Sequence, residues 1–327
     1  MASSGTREAT HAGSWYQSSA KTLSRQLDGW LDNVPASVDG KALPIPKARV
    51  IIAPHAGYSY SGPCAAWAYK SLDLSSAKRI FVLGPSHTYY LKGSALTTFT
   101  SYETPFGNLQ VDVETVKALR DTGKFSDIPR NSDEDEHSLE MHLPYIWKRI
   151  EQTHGQASQA WPTIVPILVG DNKGPKEKEF GELLAPYLQD SENAFVVSSD
   201  FCHWGTRFSY TKYVPAADRL GELRSLSRRD TALETPIHEG IKVLDQLAMD
   251  AVASGHHDEF VSNLSQTNNT VCGRHPIGVI MAALEVAAGG TVTEGNGKFA
   301  FLRYERSSLV ESVADSSVSY ASAYAVI

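Results

Sequence analysis

Cysteine is scarce in this 327-residue chain; Cys64, Cys202 and Cys272 are the only three, at spacings that make no disulfide framework. A small odd number points to a reducing compartment, the cytoplasm and also the nucleus, where cysteine serves as thiol or ligand. Positive charge is not in excess: 30 Lys and Arg face 37 Asp and Glu, and no basic stripe suggests a nucleic-acid partner. No apolar run approaches the length that spans a bilayer, so no membrane insertion is expected. The polar segment Met1 to Thr10 lacks the apolar centre of a secretory leader. There is no G-x-S-x-G, H-E-x-x-H, P-loop or post-strand G-x-G-x-x-G, so hydrolase, kinase and nucleotide-cofactor readings lose their usual support. Repeats, low-complexity tracts and linkers are missing too, which favours one domain over residues 1–327.

What is present is a recurrent pattern. Three short apolar, β-branched runs each end in side chains that can hold a metal. Ala48 to Ala53 leads into Pro54-His55, Arg79 to Leu83 into Gly84-Pro85-Ser86-His87, and Ala194 to Ser198 into Ser199-Asp200-Phe201-Cys202-His203. Such runs, bounded by Gly and Pro, read as buried strands of a parallel sheet. Open α/β sheets bind ligands beyond the carboxyl ends of their strands. His55, His87, Asp200 and His203 are therefore expected on one rim. His55 and His87 lie about one βαβ unit apart and should end neighbouring or near-neighbouring strands.

The rest of the chain reads as alternating elements. An N-terminal arm precedes a helix over Lys21 to Leu31, and Pro63 suits the first position of a helix from Cys64 to Leu72. Ser94 to Phe99 and Asn108 to Val113 read as a hairpin, and Glu114 to Thr122 as a helix stopped by Gly123. Thr163 to Val169 reads as a strand whose place Pro166 leaves open. Lys178 to Leu188 is helical, Val214 to Leu264 gives only helix-like segments, and Pro276 opens a helix to about Ala288. Lys298 to Arg306 and Val318 to Val326 close the chain as an antiparallel pair. The sum is an α/β fold, a mostly parallel central sheet flanked by helices with antiparallel additions.

Taken singly, His55 or His87 reads as a hydrogen-bonded core histidine; at equivalent strand ends the two read as a site. Asp200 could orient a histidine or bind metal, and His203 could be a ligand or a general acid–base near neutral pH. Cys272 lies in a polar loop before the Pro276 helix; taken alone it reads as an inert buried cysteine, although the helix start and Arg274 would favour thiolate, a strong ligand and nucleophile. Helical spacing puts His137 and Glu140 on one face, able to flank a site. Asp133 to Glu136 reads as a solvated acidic run, His256-His257-Asp258 as surface, and Cys64 and Cys202 as core.

These motifs resemble the Memo family (mediator of ErbB2-driven cell motility). Six of them occur in order: His11 to Tyr16, Ala53 to Tyr58, Leu83 to His87, Asp135 to His142, Ser198 to Trp204 and Cys272 to Gly278. The likeness continues to Tyr320 and is to the eukaryotic members, which carry the cysteine motif. It implies a fold similar to class III extradiol dioxygenases. It also implies a metal on His55, His87 and Cys272, with Asp200 and His203 beside it as the catalytic pair. Tyr58, His137, Glu140 and Arg274 are expected around that metal or its ligand. The resemblance further implies metal-linked redox activity with iron or copper, iron being favoured, and a role in cell motility and cytoskeletal signalling. A phosphotyrosine peptide is the implied partner over the same pocket. Where the dioxygenases complete their iron site with a carboxylate, Cys272 stands here, which argues against aromatic ring cleavage.

Two functions follow. One is a non-haem metal-dependent oxidoreductase acting on O₂ or a small redox substrate. The other is a binding module for a phosphopeptide or signalling protein, in which metal is incidental. A phosphate reader normally relies on several arginines, and this rim offers few, which favours the first.

Overall fold

A computed structural model describes residues 4–156, 160–230 and 232–327; residues 1–3 of the expected N-terminal arm lie outside it. The strands of the main sheet are β1 (Ala48–Ala53), β2 (Arg79–Pro85), β3 (Ser94–Leu96), β4 (Phe125–Asp127), β5 (Thr163–Val169), β6 (Asn193–Ser198), β7 (His203–Trp204), β8 (Phe299–Arg306) and β9 (Ser317–Val326). Their order is β7-β9-β1-β6-β2-β5-β3-β4, with β8 also pairing β9. The central four, β1, β6, β2 and β5, are mutually parallel, while β9 joins β1 and β3 joins β5 antiparallel. β1 and β6 are buried at every residue, which is why their stretches 50–53 and 194–197 are continuously apolar rather than alternating.

The main helices are α1 (Ala20–Asn33), α2 (Tyr58–Ser71), α3 (Val113–Asp121), α4 (Leu143–His154), α5 (Gly174–Gln189), α6 (Ile237–Ala253), α7 (His257–Thr267) and α8 (Arg274–Ala287). In α1, Ser19 caps the first turn and Leu23, Leu27 and Leu31, four apart, bury one stripe. α2 packs on β1, β8 and β9 and against α1 and α4, whereas α5 and α8 pack on each other and reach β6. A second, smaller core gathers Cys202, Trp204, Tyr213, Ile237, Ile241 and Leu244 beneath the loop after β7.

Three expectations need correction, and the open placement of Thr163–Val169, itself a strand as expected, is filled. α2 begins at Tyr58, so Pro63 lies inside it; the helix forgoes one backbone bond there and is held by tertiary packing. The hairpin is Ser101–Thr104 with Gly107–Gln110, and Ser94–Leu96 belongs to the main sheet, its backbone pairing with β5. Pro166 does not push β5 to an edge. β3 pairs only with Ile167–Val169, so the proline sits where that flank of β5 lacks this partner, while the ladder to β2 runs unbroken. The described residues of 214–236 are mostly irregular, with a 3₁₀ turn at Ala217–Glu222, and regular helix starts only at Ile237.

Candidate metal centre

β1, β6 and β2 are adjacent and parallel, so the residues just beyond them share one rim. His55 follows β1, Asp200 and His203 follow β6, and His87 follows β2, which puts Asp200 between the two histidines. Cys272 arrives from the loop before α8. The ligand atoms of His55, His87 and Cys272 lie within 4.8 Å of one another, and so do those of Asp200, His203 and Cys272. His55 and His87 meet edge to face with centroids 5.1 Å apart, and the Cys272 sulfur is 3.2 Å from His55 Nε2.

Hydrogen bonds fix which imidazole nitrogen faces this cluster. Ser198 Oγ donates its single proton to the Ser138 carbonyl at 2.7 Å, so at the 2.6 Å contact with His55 it must accept from Nδ1–H. His55 Nε2 is thereby left as a bare lone pair. His87 Nδ1 lies 2.9 Å from Glu136 Oε1, an ionised acceptor, so it too carries its proton on Nδ1. His203 Nδ1 faces the carbonyls of Phe201 and Thr270 at 2.9 and 3.2 Å, with the same consequence. His55 thus offers a bare Nε2 beside the Cys272 thiol, and His87 and His203, whose Nδ1 atoms face acceptors, each share a donor group with Cys272. This donor set fits a borderline or soft metal ion, whose bonds of roughly 2.0–2.3 Å require neighbouring ligands roughly 3.3–3.8 Å apart.

The electrostatics agree. Burial pushes His55 well below the ordinary imidazole range, helped by His87 and His137, so it stays neutral. Burial also raises the Asp200 carboxyl, against the influence of His203 and the backbone N–H of His55, whose bond to Oδ1 is 2.9 Å. The expected thiolate at Cys272 is overturned. Although the residue is partly exposed, burial of its sulfur and the nearby Asp200 push the thiol well above its usual range. The helix start is too weak to reverse that, and Arg274 lines a separate cleft with Asp171, Lys173 and His275. A cation among these ligands would favour both charged forms, so binding should release a proton.

The surrounding residues divide unequally. His137 stacks on His87 at 4.4 Å and lies 5.4 Å from His55; burial and His87 bring its pKa down to about 4. Trp15 from the N-terminal arm lies against His137 in a tilted arrangement, centroids 4.5 Å apart. Glu140 faces the arm rather than the donors: its carboxylate accepts from Arg7, from Tyr16 OH and from both the backbone N–H and ring of His11. Tyr58 is buried, and its hydroxyl donates to the Met141 carbonyl at 2.7 Å.

Sequence reasoning missed Glu136. The acidic run is not all solvated; Asp133 and Glu136 are buried, since their three-residue spacing turns both inward, while Asp135 stays exposed. Glu136 Oε2 accepts the His87 backbone N–H at 2.6 Å, and Oε1 accepts the Ser138 N–H at 2.9 Å as well as the His87 ring. One network, Glu136–Ser138–Ser198, thus orients both His87 and His55. Burial opposes the Glu136 charge, but the bonds from His87 and Ser138 bring its pKa down to about 2. The available signal was its place beside His137 in the same motif. The His256 cluster was also misread: His257 is fully buried.

Fold and site together define a mixed α/β protein with a His/Cys donor cluster at the carboxyl ends of its parallel strands. Residues 7–324 match the model of the family described as Memo-like protein. Protein MEMO1 of Xenopus laevis is 45% identical over 322 residues, covering 98% of this chain and 97% of that protein. Human Protein MEMO1 is 44% identical over 316 residues, covering 96% and 95%, and the Protein memo-1 homolog of Caenorhabditis elegans is 41% identical over 317 residues, covering 97% and 81%. The crystal structure of an uncharacterized protein, JW3007, from Escherichia coli K12 aligns with TM-score 0.40 and 14% identity, covering 83% of this chain and 98% of that one. The chain belongs to the Memo family.

Proposed function

We propose that this protein binds one redox-active metal ion, iron ahead of copper, through His55, His87 and Cys272, and exchanges electrons with O₂ or a small redox substrate. The observation that carries the reading is that His55, tied at Nδ1 by Ser198, turns a bare Nε2 to the Cys272 sulfur with His87 in the same donor group. The metal would supply one-electron chemistry and Lewis acidity. The protein's own groups do the rest. Glu136 and Ser198 hold the ligand rings, Asp200 balances charge, and His203 Nε2 accepts or returns a proton. His137 and Trp15 cover one side. The neutral, desolvated His55 suits a metal and makes a poor reader of phosphate, which favours this reading over phosphopeptide capture by the same pocket. No described helix is long and apolar enough to cross a membrane. A cytoplasmic or nuclear place rests on the few, unpaired cysteines, and a part in cell motility and cytoskeletal signalling on the family resemblance.

Metal content after purification without added metal tests the ligand set. His55→Ala, His87→Ala and Cys272→Ser should each lose most of it, while His203→Asn and the exposed His256→Ala keep it. Metal-dependent oxygen consumption should fall about 10²–10⁴-fold in His203→Asn alone of the last two. Equal loss of metal in all five variants, or loss in none of them, would remove the assignment.

A further inference from the structure

Cys272 is delivered by a loop, yet a ligand must be held to within about half an ångström to bind well. The Cys272 to Gly278 motif contains two glycines, a histidine and a proline that the metal cluster does not use. A Cβ at Gly273 would overlap the Ser198 carbonyl and the Ser199 side chain, so the loop is pressed onto the end of β6. A Cβ at Gly278, one turn into α8, would overlap the Glu177 carboxylate. Glu177 rises from the first turn of α5 and is buried. It binds two histidines at once: His275 Nδ1 at 2.6 Å to Oε1, and His257 Nε2 at 2.6 Å to Oε2. His257 is fully buried, donates its backbone N–H to Glu285 on α8 at 2.8 Å, and meets Asp258 with its other ring nitrogen at 3.0 Å. One carboxylate therefore ties α5, α7 and the first turn of α8 together, three residues from the thiol.

We propose that Glu177, through His275 and His257, is a positioning residue for Cys272, clamping the start of α8 so that the thiol reaches the His55–His87 pair. The proposal rests on the metal reading above for its use but not for its geometry. Gln at 177 keeps a carbonyl for His275 and offers an N–H to a neutral His257, so it should preserve the clamp, whereas Ala cannot.

The test uses the full chain with cobalt(II) as a spectroscopic probe of the thiolate bond. In Glu177→Ala the thiolate-to-cobalt charge-transfer band should shift or fade and affinity should drop at least about tenfold, as when a residue that orients a ligand is lost. Glu177→Gln should restore both. If Glu177→Ala fails to fold, Gly278→Ala displaces the carboxylate more gently and should move the same band. A lowered melting temperature with unchanged band and affinity would overturn the proposal, making Glu177 a strut and nothing more. A separate arm needs no metal. In metal-free protein, iodoacetamide should alkylate Cys272 several-fold faster in Glu177→Ala than in the wild type, because the sulfur leaves its seat against His55 and Asp200. An unchanged alkylation rate would also overturn the clamp. If wild-type protein binds no cobalt while Glu177→Ala still accelerates the alkylation, the metal reading is refuted and the clamp stands.

Discussion

Replacing Glu136 by Gln isolates what one buried carboxylate does for the proposed centre. The change is nearly isosteric, so packing around the side chain persists. Glu136 accepts three hydrogen bonds, from the His87 ring, the His87 N–H and the Ser138 N–H. A Gln oxygen can keep those at one position, but its NH₂ must face a donor at the other. If it faces the His87 ring, Nδ1 must become the acceptor and the proton moves to Nε2, which then cannot bind metal. If it faces the His87 backbone, two N–H groups oppose each other. Either way metal affinity should fall roughly 10–100-fold, the usual result of losing a residue that orients a ligand. Stability should change as well. A carboxyl brought from 4.5 to about 2 by folding stabilises the native state by about 3 kcal/mol near neutral pH, each pH unit of displacement being worth about 1.4 kcal/mol. The sign follows from the depressed value. The contribution is complete above the unfolded pKa of about 4.5 and is lost as pH falls through about 2. Chelator competition gives the affinity, and urea unfolding of metal-free protein at pH 7 and pH 3 gives the stability. The wild-type advantage over Glu136→Gln should narrow at pH 3. Affinity within twofold of wild type, or a stability gap that does not narrow in acid, would refute the orienting role.

Two further outcomes are expected. Cys272 in metal-free protein should alkylate more slowly at pH 8 than a free thiol, because burial and Asp200 keep it protonated; bound metal should slow it further. A pH–rate midpoint at or below the free-thiol value of about 8.5 would contradict this. Arg7 is fully buried and pairs with Glu140 at 2.7 Å and Asp133 at 3.3 Å, so Arg7→Met strands two carboxylates. It should cost roughly 3–5 kcal/mol in denaturant unfolding and free the N-terminal arm, seen as faster hydrogen exchange around Trp15. A loss under about 1 kcal/mol would mean that the arm is held by something else.

Local pattern alone was enough for the strands that carry the donors. A run such as Val50 to Ala53 has no polar face to give water, so it belongs inside a parallel sheet, and the first polar residue after it must emerge at the rim. His55, His87 and Asp200 were legible for that reason, and the ordered motifs carried the family. Helix limits were less legible. Pro63 marks a helix start by local preference, but packing against Trp30 and Tyr145 lets α2 begin five residues earlier. What chain-local reasoning could not supply is every property that depends on who stands opposite. Whether Glu136 is solvated or orients His87, whether Cys272 is thiol or thiolate, and whether His257 is surface or a buried hinge pin are decided by partners 49, 72 and 80 residues away. Charge in a protein is set by the local dielectric and by the distance to other charges, and both exist only after the chain has folded.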